Sequence, residues 1–296
     1  MTAMTGLVHT VLGPVPADDL GVVAVDEALL SVLPGAEHGY DVVMDRVEIF
    51  DALAALLTDF REAGGGTVVD ATGMFHGRDV RLLEALSRTT GVHVVASTGQ
   101  GPEGLLGGYF LTPQTNPPTP WPAEKFADLF TREVSEGMVV PRVERRGPAG
   151  LVVTAATTTG MTATDESLLR GAARAALATG VPVSFGAGAD AVVEVEVALA
   201  EGLSADRLLV CGAGEQAVKV AEIGAYVVLT DPDEIVVIAE AGHAERVLLS
   251  TGGAGLAFGH DAPAAAYAPL VTALPDDIAH QVLVANPRDL LTVKER

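Results

Sequence analysis

The sequence predicts a (β/α)8 barrel, a TIM-type α/β fold, on three observations. Eight short apolar runs recur along the 296 residues, most of them followed by a stretch with helical spacing. The runs are close to continuously apolar, as strands of a parallel sheet must be when both faces are buried. No break in composition marks a linker, so one domain spanning 1–296 is expected, a length that suits a large barrel. The count of eight favours closure over an open, doubly wound sheet.

The strands follow in order. They are LGVVAV (20–25), GTVVDAT (66–72), VHVVAST (92–98), AGLVVTA (149–155), VPVSF (181–185), RLLVCG (207–212), AYVVLT (225–230) and RVLLST (246–251). Between them, VEIFDALAALLTDFREAG (47–64), RDVRLLEALSRTTG (78–91) and DESLLRGAARAALATG (165–180) return apolar residues every three or four positions, and a glycine closes each. TATDE (162–166) places hydroxyls and acids where a helix N-terminus wants them. GPEGLLGGYFLTPQTNPPTPWP (101–122) is too rich in Pro and Gly for a helix. Following the third strand, it belongs at the mouth as a lid or interface loop, with Trp121 and Phe110 as apolar anchors. The tail (273–293) is expected to form two short helices broken at Pro287.

Composition excludes several classes. The longest apolar runs are strand-sized and too short to span a bilayer. The opening MTAMTGLVHT lacks the basic and apolar regions of a signal peptide, and the single cysteine, Cys211, suits a reducing cytoplasm. A formal net charge of −21 opposes binding to nucleic acid, and the densest basic group, PRVERRG (141–147), is expected to be a solvated turn.

One stretch calls for chemistry. GVVAVDEALL (21–30) ends an apolar run on Asp26 and Glu27, and carboxylates at such a place should be solvated, paired or working. Its surroundings carry a resemblance. GLVHTVLGPVPADDLGVV (6–23), GGGTVVDATGMFHGRDVRLLEALSRTTGVHVVASTG (64–99), LRGAARAALATGVPV (169–183), EGLSADRLLV (201–210) and VANPRDLL (284–291) are together similar to the phosphotriesterase family of the amidohydrolase superfamily, in the same order, over nearly the full chain.

That resemblance implies two divalent metals at the barrel mouth. They would be held by His-x-His on strand one, a carboxylated lysine on strand four, histidines on five and six, and an aspartate on eight. Such metals lower the pKa of a bridging water and polarise an ester or lactone. In this chain the His-x-His falls on Asp26 and Ala28, the lysine on Val153 or Thr154, the histidines on Gly186 and Gly212, and the aspartate on Gly252. Only Asp26 can ligate a metal, whereas a catalytic zinc typically takes about three protein ligands. No metal and no other cofactor is therefore expected.

Two readings follow. One is a pseudoenzyme, a non-catalytic subunit or scaffold that pairs as a homodimer or with a metal-bearing homologue. The other is a hydrolase or lyase with a rebuilt metal-free or single-metal site acting on an ester, lactone or biosynthetic intermediate. Its candidate residues are Asp26, Glu27, Asp70, His76, Glu215 and His260, with His38 and Asp231 also near strand ends. Cys211 has no nearby histidine to activate it and is expected to be a buried, inert thiol. The vacated strand ends FGAGAD (185–190), CGAGEQ (211–216) and TGGAGL (251–256) suggest anion-binding loops built on Gly186, Gly188, Gly212, Gly214, Gly252 and Gly253, and so a small-molecule ligand at the mouth.

Overall fold

The computed structural model describes residues 6–106, 111–112, 119–140 and 144–294. A hairpin of β1 (Leu7–Thr10) and β2 (Gly13–Pro16) comes first. The barrel follows as β3 (Val22–Val32), β4 (Gly65–Asp70) and β5 (His93–Gly99). A small antiparallel pair, β6 (Leu111–Thr112) and β7 (Thr119–Pro120), lies in the long connection. Then come β8 (Leu151–Ala155), β9 (Val183–Gly186), β10 (Leu208–Cys211), β11 (Tyr226–Leu229), β12 (Val247–Leu249) and β13 (Ala254–Phe258). The parallel sheet runs β12-β11-β10-β9-β8-β5-β4-β3-β13.

The eighth strand is split. Its first half, β12, pairs with β11, and its second half, β13, pairs with β3 through Ala254↔Ala28 and Leu256↔Leu30. The barrel closes through this step. The second half of the segment expected to be the glycine loop TGGAGL, from Ala254 on, is thus strand, because the inner strand of the closure needs a partner for its exposed amides. The first strand is also longer than its apolar run, reaching Val32 because β13 extends alongside it.

Strand residues alternate between two cores. Val23, Val25, Val69, Val95, Leu151, Val153, Leu209, Val228 and Leu248 fill the barrel interior, with Val8, Leu20 and Leu290 below them. Ala24, Val68, Val94, Val152, Phe185, Val210, Val227 and Leu249 face the helices. Both faces are apolar, which is why the strands carry no polar alternation. Neighbouring backbones approach closely: a Cβ on Gly99 would sit 1.9 Å from the carbonyl oxygen of Val153, and its φ is +101°.

The helices are α1 (Arg46–Glu62), α2 (Val80–Thr90), α3 (Ala123–Ser135), α4 (Ala163–Thr179), α5 (Ala191–Ala200), α6 (Ala217–Ile223), α7 (Pro232–Ile238), α8 (Asp276–His280) and α9 (Asn286–Leu291). Thr162 and Asp165 form a capping box on α4, and Gly91 and Gly180 end α2 and α4 in the left-handed conformation. In α1 that conformation belongs to Gly64, one residue beyond the cap Ala63. The tail differs from expectation. A π-helical turn, Gln281–Ala285, joins α8 to α9, and Pro287 sits in the first turn of α9, where a missing N–H is harmless. Trp121 is not a free anchor: it is half-buried, its ring 5.6 Å from that of Phe126, with the Lys125 ammonium 5.1 Å above it. Phe110 lies outside the described residues, as does 141–143 of the basic group. The rest of that group is ion-paired, Arg145 with Glu136 and Arg146 with Glu84.

Candidate functional site at the barrel mouth

Asp26 owes its position to a β-bulge. Ala24 pairs with Val68 and Glu27 with Asp70, so β3 carries one more residue than β4 over this interval. Asp26 takes up the excess with φ +59°, a left-handed conformation unusual for a side-chain-bearing residue. Its carboxylate then reaches inward. Ser184 on β9 donates to Oδ1 at 3.1 Å, and the Cys211 thiol on β10 donates as well. The Ser184 oxygen and Cys211 sulfur lie 3.7 Å apart. Burial pushes the Asp26 carboxyl up from its ordinary value, against the lowering effect of those two donors. Burial, then the adjacent Asp26 charge, pushes the Cys211 thiol well above the usual thiol range.

Glu27, only 1% exposed, fastens the step in the eighth strand. It accepts from the Thr251 amide at 2.7 Å, from the Ser250 hydroxyl at 3.2 Å and from the Thr251 hydroxyl. Burial raises it to about 7; those donors oppose the shift and the Asp26 charge adds to it. Asp70, its register partner, accepts from the Leu29 amide at 2.9 Å, the Thr72 amide at 3.3 Å and the Thr72 hydroxyl. These bonds tie strand two to strand one, an orienting role. Burial raises Asp70 too, while its bonds with Thr72 and Leu29 and the Arg78 charge pull it down.

The remaining candidates are held elsewhere. His76 is half-buried, desolvation lowers its pKa, and its backbone oxygen receives the Val32 amide. His260 is exposed and bonds Ser31 at 2.9 Å, and Glu215 is exposed on the turn Gly214–Gln216. His38 is exposed beside Glu37, and Asp231 caps α7.

Three of the six loop glycines have their amides engaged within the chain. The Gly188 amide donates to Glu194 at 2.8 Å, that of Gly252 to the Ser250 hydroxyl at 3.0 Å, and that of Gly253 to the Thr251 hydroxyl at 3.2 Å. Amides already satisfied within the chain are not aimed at an anion. Gly186 instead fits against Ala155, and Gly212 and Gly214 supply positive φ to a turn.

The residues present do not fit a two-metal centre. Ala28, Val153, Gly186, Gly212 and Gly252 offer no side-chain donor, and Val153 is packed in the barrel interior. Among the described residues, no three His, Cys, Asp or Glu side chains are grouped to hold a metal. Sequence reasoning missed Ser184, Ser250 and Thr251. The one available signal for Ser184 was a lone hydroxyl inside the apolar run VPVSF.

Comparison with known proteins agrees with the fold. The chain matches the Phosphotriesterase family over residues 6–252. It is 27% identical to an N-acetyltaurine hydrolase of Salmo salar over 46% of its length, and 25% identical to that of Danio rerio over 67%; it spans 45% and 61% of those proteins. It is 24% identical to a phosphotriesterase homology protein of Mycobacterium tuberculosis, covering 82% of this chain and 79% of that one. A solved structure from the engineering of organophosphate hydrolysis in a weak promiscuous lactonase superposes with a TM-score of 0.82 at 21% identity, covering 96% of this chain and 99% of that one.

Proposed function

Because the chain belongs to the phosphotriesterase family, we propose that it is a member without the two-metal chemistry, serving as a non-catalytic subunit or scaffold. Its partner would be a second copy or a homologue that keeps its histidines. One observation carries this reading: the side chain left at the first ligand position, Asp26, is engaged by Ser184 and Cys211, and the other positions bear Ala, Val or Gly. Once donors are lost from several strands, those that remain no longer contribute to hydrolysis, while the packing that defines the barrel is kept. The strong negative charge favours protein or small-molecule partners over nucleic acid, and the lone half-buried free thiol suits a cytoplasmic setting. No helix among the described residues is long and apolar enough to cross a membrane.

The test is elemental analysis and turnover after loading with zinc, cobalt or manganese, alongside sizing and co-purification from a native lysate. Sub-stoichiometric metal, no hydrolysis of aryl esters, lactones or phosphotriesters, and a dimer or heteromer are expected. A stoichiometric transition metal with turnover would refute the proposal, and a strict monomer without partners would refute its scaffold part.

A second reading is favoured by the strain at Asp26. A desolvated carboxyl held at φ +59° is the kind of outlier that active sites retain. Under this reading a hydrolase or lyase would use Asp26 as a proton donor toward an ester, lactone or biosynthetic intermediate. Turnover that survives chelator and is lost in Asp26→Asn would favour it.

A further inference from the structure

At the end of the barrel opposite the mouth lies a polar cleft of about 570 Å³. It opens between the start of β11, the residues before β12, and the C-terminal helix α9 with the segment that follows it. Tyr226, the first residue of β11, is 3% exposed, with its ring in the interior core. Tyr226 lines the cleft, and its hydroxyl has no hydrogen-bond partner among the described residues. Burial raises its pKa, so the group stays a donor at neutral pH.

The charges around this hydroxyl are mostly cancelled. Arg288 binds Asp289 at 2.8 Å, and Lys294 binds Asp206. Of the charged side chains lining the cleft, two of opposite sign remain. Arg246 lies 5.1 Å over the Tyr226 ring; among the described residues it donates only to the Glu245 carbonyl, at 3.3 Å, and makes no ion pair. The Glu245 carboxylate, next to it on the same rim, makes none with the described residues either.

We propose that this cleft binds a small zwitterion, its oxyanion on the Arg246 guanidinium and Tyr226 hydroxyl and its ammonium on Glu245. A guanidinium stacked on an aromatic ring keeps its donor edge free for an oxyanion. A phenol with no internal partner gains a bond when that oxyanion arrives. A ligand with both charges also escapes the repulsion that a chain of net charge −21 imposes on a simple anion. The site is independent of the barrel mouth, so it does not depend on the scaffold reading.

The experiment is calorimetric titration of the full chain with glycine, β-alanine, 4-aminobutyrate, 6-aminohexanoate and phosphoethanolamine, with acetate, phosphate and propylamine as single-charge controls. At least one zwitterion should give saturable heat, with each control binding at least tenfold more weakly. Whether an amino acid or phosphoethanolamine binds tighter identifies the oxyanion as carboxylate or phosphate. Affinity should fall at least tenfold in Arg246→Gln, Tyr226→Phe and Glu245→Gln. Tyr226→Phe removes only an unpartnered hydroxyl, so its fold, checked by circular dichroism, should be unchanged. No saturable heat from any zwitterion, equal affinity for acetate or phosphate, or binding untouched by these substitutions would overturn the proposal.

Discussion

The hydroxyl of Ser184, on the fifth strand of the barrel, donates to the carboxylate of Asp26 on the first, 3.1 Å away and 158 residues distant in sequence. In a ring of eight strands these two stand opposite each other, so the bond crosses the interior just below the mouth. It depends on a bulge and on backbone strain at Asp26, where a strained left-handed residue costs on the order of 1–2 kcal/mol.

Asp26→Asn should therefore be benign and Asp26→Ala harmful. Asparagine tolerates the left-handed conformation and keeps an acceptor for Ser184, so a change within about 1 kcal/mol is expected near pH 6. Alanine is strained there and leaves the Ser184 hydroxyl without its acceptor, costing about 2–3 kcal/mol. Urea midpoints measure both, and an alanine variant as stable as the parent would show that the contact contributes nothing.

Glu27 makes stability pH-dependent. Its folded pKa of about 7 lies above the ordinary 4.5, so folding favours the protonated form. The contribution is fully present below about pH 4.5 and is lost as pH rises through 7. At pH 8 the loss is on the order of 2–3 kcal/mol for so buried a group. Glu27→Gln should flatten that dependence between pH 5 and 8. Parallel pH profiles for parent and variant in urea denaturation would contradict the assignment.

Cys211 should be inert. Burial and the Asp26 charge both oppose the thiolate, which is the reactive form. The native protein should resist iodoacetamide at pH 8 and become labelled only when unfolded, as mass spectrometry would show. Rapid stoichiometric labelling of the folded protein would mean the thiol is open to solvent and activated.

Arg78 and Glu133 form a buried bidentate pair at 2.5 and 3.0 Å, with side chains 5% and 1% exposed. Glu133 also accepts the Val139 amide, so it joins α3 to the segment beyond it. Removing one partner strands a buried charge: Arg78→Met should cost about 3–5 kcal/mol. The double variant Arg78→Met, Glu133→Leu should recover part of that loss, because it strands no charge. Equal destabilisation of the single and double variants would locate the cost in packing.

The sequence alone determined the eight strands, their order and the burial of both faces, because apolar runs and helical spacing are local patterns. It likewise determined that Ala28, Val153, Gly186, Gly212 and Gly252 carry no ligating side chain wherever they fold. The tertiary structure decided what Asp26 and Glu27 do. Their partners, Ser184 and Thr251, are 158 and 224 residues away, and a one-residue bulge sets which way each carboxylate points. It also decided that the last glycine-rich stretch enters the closing strand from Ala254 on, and that Gly188, Gly252 and Gly253 direct their amides to neighbouring side chains. Register and long-range pairing settle such matters, and neither is written in any short window of residues.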